Sequence, residues 1–223
     1  MSPGQQTTPP TARTTTGRTY RGADRRQRQD ERRARLMEAG IETFGTIGYR
    51  NATVDRVCAA AGLTKRYFYE SFDDSEELLL AVYGRVAEEL HTRIVADAEA
   101  AAPDIEAQVR AALTALFRTI GDDPRLARIA FVEILAVSGT VDSAWQAVNT
   151  AFVDTILQLT QPYLDAADLS ETDLEILATG VLGAVVLIAQ RWILGERAQP
   201  IEALVSNAHT LVMAVVSRVA ALD

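Results

Sequence analysis

Twenty residues, Thr53 to Phe72 (TVDRVCAAAGLTKRYFYESF), constrain this chain more than any other stretch, because they require two short helices to meet at a tight corner. Val54, Val57, Cys58 and Ala61 fall at i, i+3, i+4 and i+7, one apolar stripe of a helix of about three turns. Thr53 stands ahead of the stripe as an N-cap, leaving backbone donors directed at an incoming phosphate, and Gly62 closes the helix as a left-handed residue. Leu63 plugs the corner and Thr64 caps a second helix in which Phe68 and Phe72, four apart, face inward. Lys65, Arg66, Tyr67 and Tyr69 are left on the outer face. Two cations beside two phenolic hydroxyls suit a DNA major groove, since Arg and Lys pair with guanine O6 and N7 or with phosphate, and a Tyr hydroxyl takes a phosphate oxygen. An ordinary helical hairpin with a solvated charged face has the same local pattern, so the neighbouring residues decide.

Those neighbours are Phe44, Gly48 and Tyr49 on one side and Asp74-Ser75-Glu76-Glu77-Leu78-Leu79 on the other. The set Phe44, Gly48, Tyr49, Thr53, Val54, Ala61, Gly62, Leu63, Thr64, Phe68, Tyr69, Phe72 and Leu78 closely resembles the DNA-binding domain of TetR-type transcriptional regulators, over residues 30 to 80. The resemblance implies an all-α protein of about nine helices, with an N-terminal three-helix helix-turn-helix domain and a C-terminal helical body that dimerises and binds a small-molecule effector. It implies a repressor released from a near-palindromic operator when the effector binds. On the DNA side it implies Arg50, Thr53, Thr64, Lys65, Arg66, Tyr67 and Tyr69. Two positions depart from the pattern: Ser75 stands where many members have a phosphate-binding Lys, and Tyr67 where many have a small residue.

A net charge of −8 is a poor match to DNA until the chain is divided. Residues 1 to 72 hold thirteen Lys and Arg against seven Asp and Glu, a net +6, while residues 73 to 223 hold nine against twenty-three, a net −14. A basic end on an acidic body orients the approach to DNA. Residues 1–23, rich in Thr, Pro, Gly and Gln, read as a disordered basic arm, 24–73 as the DNA-binding domain and 74–223 as the effector and dimer domain. Arg25, Arg26, Arg28, Arg32, Arg33 and Arg35 crowd the approach to the first helix, where they add phosphate or minor-groove contacts or merely keep the chain soluble. That helix is expected from about Ala23 to Ile47, with Leu36, Met37, Ile41 and Phe44 inward and Gly48 as its stop. Asp74 and Glu77 form a capping box for a long fourth helix carrying Leu78, Leu79, Val82, Val86, Leu90 and Ile94.

Breaks at Pro103, Gly121 to Pro124, Ser138-Gly139, Ala166 to Ser170 and Gly195 to Pro200 divide the remainder into helices over about 104–120, 125–137, 140–165, 171–194 and 201–221. The last two are apolar on more than one face, so more than one face must be buried, and Gly180, Gly183 and Ala184 permit close approach by the same pair from a second subunit. A hairpin buried within a monomer has the same composition. Phe117, Arg128, Phe131, Glu133, Trp145, Asn149 and Gln190 are the candidates for an effector pocket: apolar walls with a few polar anchors, of which Glu133 and Gln190 lie in apolar surroundings and need partners. Each also fits an ordinary core. His91 is expected on a solvated flank and His209 on the last helix; no metal spacing, phosphate loop or nucleophile elbow points to catalysis, and neither a metal nor a cofactor is expected. The lone Cys58 belongs to a core, and the apolar run Ile176 to Ala189 is too short to span a bilayer, so a cytoplasmic protein without a membrane anchor is expected. The rival reading is a helical dimeric ligand-binding or scaffold protein with only nonspecific affinity for DNA.

Overall fold

The computed structural model describes residues 16–135, 137–164, 169–195 and 198–220, and among them every regular element is helical. Helix α1 (Thr16–Ile47) leads through a 3-10 turn (Tyr49–Asn51) into α2 (Val54–Ala61) and α3 (Lys65–Tyr69). Helix α4 (Ser75–Ala100) then runs into a body built from α5 (Ile105–Asp122), α6 (Pro124–Arg128) with a π turn (Ile129–Glu133), α7 (Gly139–Leu164), α8 (Glu171–Leu194) and α9 (Ile201–Ala220). One continuous apolar cluster links the parts, from Leu36, Phe44, Phe68 and Phe72 through Leu78, Val82 and Val86 of α4 to Phe117, Ile129, Trp192 and Val212.

Helix α1 starts at Thr16, seven residues ahead of the expected Ala23, so residues 16–23 belong to the helix rather than to a disordered arm. Residues 1–15 lie outside the described residues. The Arg- and Gln-rich run before Leu36 has high intrinsic helix propensity, and a helix nucleated where Leu36 to Phe44 bury a face extends cheaply in the N-terminal direction. Apolar periodicity reports only the part of a helix that buries a face.

Thr53 caps α2 by accepting from the Arg56 N–H at 3.4 Å, and Gly62 ends it at φ 61°. Thr64 holds the N-cap position of α3 but its hydroxyl makes no capping bond, which corrects the expected cap. Asp74 caps α4 by accepting from the Glu77 N–H at 2.8 Å; Glu77 reaches back to the Asp73 N–H, one residue earlier than a capping box requires. Asp104 and Ser170 cap α5 and α8.

The helix expected over 125–137 is divided. After α6 the backbone widens into a π turn, and the Gln190 side chain of α8 donates to the Phe131 carbonyl at 2.9 Å, satisfying an acceptor there. Taken whole, the 24 residues of α8 are long and apolar enough by length and composition to cross a membrane, which the uninterrupted run alone did not suggest, because Thr179, Gly180 and Gly183 interrupt the run and not the helix. Its inner face packs on the body through Val185, Ala189 and Trp192, and Trp192 meets Phe117 edge to face at 6.3 Å.

Candidate nucleic-acid interface and effector cavity

The reading surface stands on α2 and α3. Burial of Val57, Cys58, Ala61, Phe68 and Phe72 fixes both helices against α1 and leaves Lys65, Arg66, Tyr67 and Tyr69 outside. Burial also pushes the Cys58 thiol pKa up, as a core position requires. Tyr69 is 58% exposed, and Arg50, Thr53 and Thr64 are exposed on the same part of the chain. The cations are already paired: Lys65 Nζ lies 2.8 Å from Asp55 Oδ1, a bond that raises the Lys65 pKa, and Arg66 Nε lies 3.0 Å from Glu70 Oε1. The Arg32 guanidinium lies over the Tyr67 ring at 4.7 Å, so this aromatic is braced by α1 rather than projecting alone.

The arginines of α1 also have work inside the head, which sequence reasoning missed. Arg35 donates to the Ala61 carbonyl at 2.6 Å, and Arg33 donates to the Ser71 carbonyl while its guanidinium covers the Phe72 ring at 4.1 Å. These bonds close the C-terminal ends of α2 and the α3 region, where free carbonyls and the helix dipole favour cations. Their spacing pointed to a basic arm because a charge run looks alike whether it faces phosphate or caps a neighbouring helix.

A second set of residues joins the head to the body. Gly45 of α1 lets α6 approach so closely that a Cβ there would lie 2.7 Å from the Arg125 Cα. Arg125 binds Glu42 of α1 through Nη1 and Asp123 through Nη2 at 2.7 Å; that bond holds the Asp123 carboxyl below the usual carboxylate range. At the end of α1, Gly48 turns with φ 84°, a conformation that favours glycine. There Arg128 donates to the Thr46 carbonyl at 3.0 Å and to Glu133 Oε1 at 2.7 Å, while Glu133 Oε2 accepts from the Tyr49 N–H at 2.7 Å. Arg128 and Glu133, expected around an effector, are instead the latch between α1 and the π turn. The Glu133 side chain is only 12% exposed, and its partner lies across the seam and not in a pocket.

The body encloses a cavity of about 180 Å³ between α4, α5, the π turn, α7 and α8, with Val212 of α9 at its edge. Phe131, Trp145 and Asn149 line it as expected pocket residues; Phe117 and Gln190 do not. Phe117 is wholly buried in the core, and Gln190 serves the Phe131 carbonyl. Tyr83 and Gln108 line the cavity without having been anticipated, because each sits on a helix whose periodicity reads as core. Every lining residue is uncharged. A second, more polar groove of about 560 Å³ shares Trp145, Asn149, Leu182 and Val186 with it and adds Asp154 and Glu175. His91, expected in solvent, is half-buried: its Nε2 lies 2.8 Å from Thr155 Oγ1 and its ring meets Phe152. His209 is buried on α9 between Arg110 and the Glu106 carbonyl. Among the described residues no group of three or more His, Cys, Asp or Glu could hold a metal ion.

Residues 36–82, which hold the corner, the α1 core and the start of α4, match the family of bacterial regulatory proteins of the tetR type. By that match its head is a DNA-binding domain of the tetR type. It is 28% identical over 169 residues to the HTH-type transcriptional activator FasR of Mycolicibacterium smegmatis, an overlap covering 76% of this chain and 75% of the relative. Its fold is that of the fatty acid degradation regulator FadR of Bacillus halodurans (TM-score 0.68, 17% identity, 81% of this chain and 94% of the other). The transcriptional regulator FadR of Bacillus subtilis, solved with stearoyl-CoA, has the same fold (TM-score 0.68, 14% identity, 80% and 96%). In this chain the two departures noted in the sequence have structural places: Ser75 opens α4 directly after its Asp74 cap, and Tyr67 packs under Arg32.

Proposed function

We propose that this regulator binds a near-palindromic operator as a homodimer and that an elongated, largely apolar ligand in the body cavity changes its operator affinity. Arg50, Thr53, Thr64, Lys65, Arg66, Tyr67 and Tyr69 form the DNA face; residues 24–73 act as the reading head and 74–223 as the effector and dimer body. The observation that carries the coupling is the π turn. Ala130 and Phe131 line the cavity, while Arg128 and Glu133, on either side of them, grip the end of α1 and the Tyr49 amide. A ligand that displaces Phe131 therefore moves the groups that hold the head, and ligand and DNA change each other's affinity by the same factor.

The ligand class follows from the lining. Tyr83 and Ala98, both on α4, are fifteen residues apart, roughly 22 Å along a helix, and every residue that lines the cavity is uncharged. A long acyl chain fits that shape, and the stearoyl-CoA bound by the Bacillus subtilis FadR gives the proposal a precedent in the same fold. The sign of regulation is not written in the fold: family resemblance suggests a repressor, FasR is named an activator, and the position of the operator relative to the promoter decides.

The pairing of Lys65 with Asp55 and of Arg66 with Glu70 favours the rival reading of a ligand-binding dimer with only nonspecific DNA affinity. Titrating a duplex selected from a random pool with and without a neutral long-chain acyl ester separates the two. Release or tightening at ligand saturation supports the regulator, whereas unchanged affinity of a ligand-saturated protein overturns it.

A further inference from the structure

The cavity lining includes a phenol that the fold does not use. Tyr83 is 4% exposed and lines the cavity, yet its hydroxyl has no hydrogen-bond partner among the described residues. The hydroxyl is not among the fully buried polar atoms left without a partner, so it is accessible to an acceptor that enters the cavity. Three other polar lining side chains are engaged, since Asn149 donates to the Trp145 carbonyl, Thr160 donates to the Ile156 carbonyl, and Gln108 accepts from the Tyr163 hydroxyl at 2.6 Å; the half-buried Trp145 indole N–H is a second donor without a partner among the described residues. Burial pushes the Tyr83 pKa well above its ordinary value, so at neutral pH the hydroxyl keeps its proton and is able to donate it in a hydrogen bond. Neither a plain hydrocarbon nor a cation presents the acceptor this donor requires.

We infer that Tyr83 is a specificity-determining hydrogen-bond donor for the effector, and that the cavity takes a neutral lipophile bearing an acceptor oxygen, such as a carbonyl, at the Tyr83 end of its chain. The inference rests on the effector reading above and narrows it. The absence of any charged lining residue leaves an anionic carboxylate inside the cavity without compensation, and Asp154 and Glu175 repel an anion in the adjoining groove. The remaining length is apolar and selects by chain length alone.

The test uses the full chain and four probes of equal length: 2-decanone, decane, decanoate and decylamine. Binding is read by the change in Trp145 fluorescence, with Trp145→Phe as the control for location. Wild type is expected to bind 2-decanone and decane in the cavity and to bind decanoate and decylamine at least tenfold more weakly than 2-decanone. Tyr83→Phe, which keeps the ring, is expected to weaken 2-decanone about fivefold, the loss of one net hydrogen bond, and to leave decane unchanged. Equal weakening of both probes, no weakening of 2-decanone, or decanoate binding as tightly as 2-decanone overturns the assignment. Operator affinity is measured in a separate titration: selective loss of 2-decanone binding in a protein whose operator affinity ignores the probe would sink the regulator reading and leave Tyr83 as assigned.

Discussion

Helices α4 and α8 are nearly equal in length, 26 and 24 residues, and both are rich in apolar side chains, yet a single chain covers them very differently. α4 buries Leu78, Leu79, Val82, Tyr83, Val86, Ala87, Leu90 and Ala98 between the head and α5. α8, the more apolar of the two, buries only Ala178, Val185, Ala189 and Trp192, and leaves Ile176 at 63%, Leu187 at 56% and Leu194 at 64% exposure. Gly180 and Gly183 fall on the same outer line, and nothing stands within 4 Å of where their Cβ atoms would be. A helix whose apolar excess faces outward along a line of small residues suits close approach by another helix. The head is finished by its own chain, whereas α8, together with exposed Leu211 of α9, leaves the apolar surface that the proposed second copy would cover.

The strongest challenge to that contrast is Ile176→Asp with Leu187→Asp. Charges placed at two central apolar positions of an interface cost at least about 2 kcal/mol each, so the dimer dissociation constant should rise by roughly a thousandfold or more, read by sedimentation, with helical content unchanged. A variant that stays dimeric refutes the α8 interface. Phe68→Ala attacks the other side. Phe68 is wholly buried under the reading helix, and its loss should cost about 3–5 kcal/mol of head stability and abolish operator binding while the dimer persists in sedimentation. Coincident loss of the dimer would mean that head and interface are not separately finished.

Gly180→Leu sharpens the comparison further. In an isolated chain the open space and better helix propensity should stabilise α8 by about 1 kcal/mol, whereas a dimer formed across that face should weaken. Higher thermal stability with an intact dimer would place the interface elsewhere. Glu133→Gln keeps the side-chain volume but removes the charge that holds Arg128 and the Tyr49 amide; with Arg128 39% exposed, solvent screening limits the loss to about 1 kcal/mol. The expected outcome is a several-fold smaller change in operator affinity at ligand saturation, measured by duplex titration. The smallest effect belongs to Asp55→Asn, which frees Lys65 and should raise operator affinity two- to threefold in low salt, a gain that vanishes as salt is raised.

Much of the head was legible because its signals are local. The stripe at Val54, Val57, Cys58 and Ala61, the left-handed Gly62 and the inward pair Phe68 and Phe72 each depend on residues a few positions away, and all occupy their expected places. The arginines of α1 were not legible, since Arg35 and Arg33 act on carbonyls 26 and 38 residues distant and a sequence does not reveal which helix end a cation will meet. The same limit governs the cavity. Glu133 was correctly identified as a polar residue in need of a partner, but its partner is the Tyr49 amide 84 residues away, and the residue whose hydroxyl stays unpaired, Tyr83, is indistinguishable by periodicity from its buried neighbours. The π turn was invisible for a related reason: IAFVE has the composition of an α-helix, and its widening follows from what Gln190 and α1 offer on either side.

The most direct test of the account is selection from a random-duplex pool by the full chain, alongside Lys65→Ala and the Ile176→Asp/Leu187→Asp variant, at two salt concentrations. The account predicts enrichment of a near-palindrome whose half-sites are centred roughly 34–36 Å apart, weakened by Lys65→Ala and reduced to single half-sites or lost in the interface variant. Binding without enrichment, falling equally for all sequences as salt rises, would contradict it and leave a ligand-binding dimer with a basic but unread face.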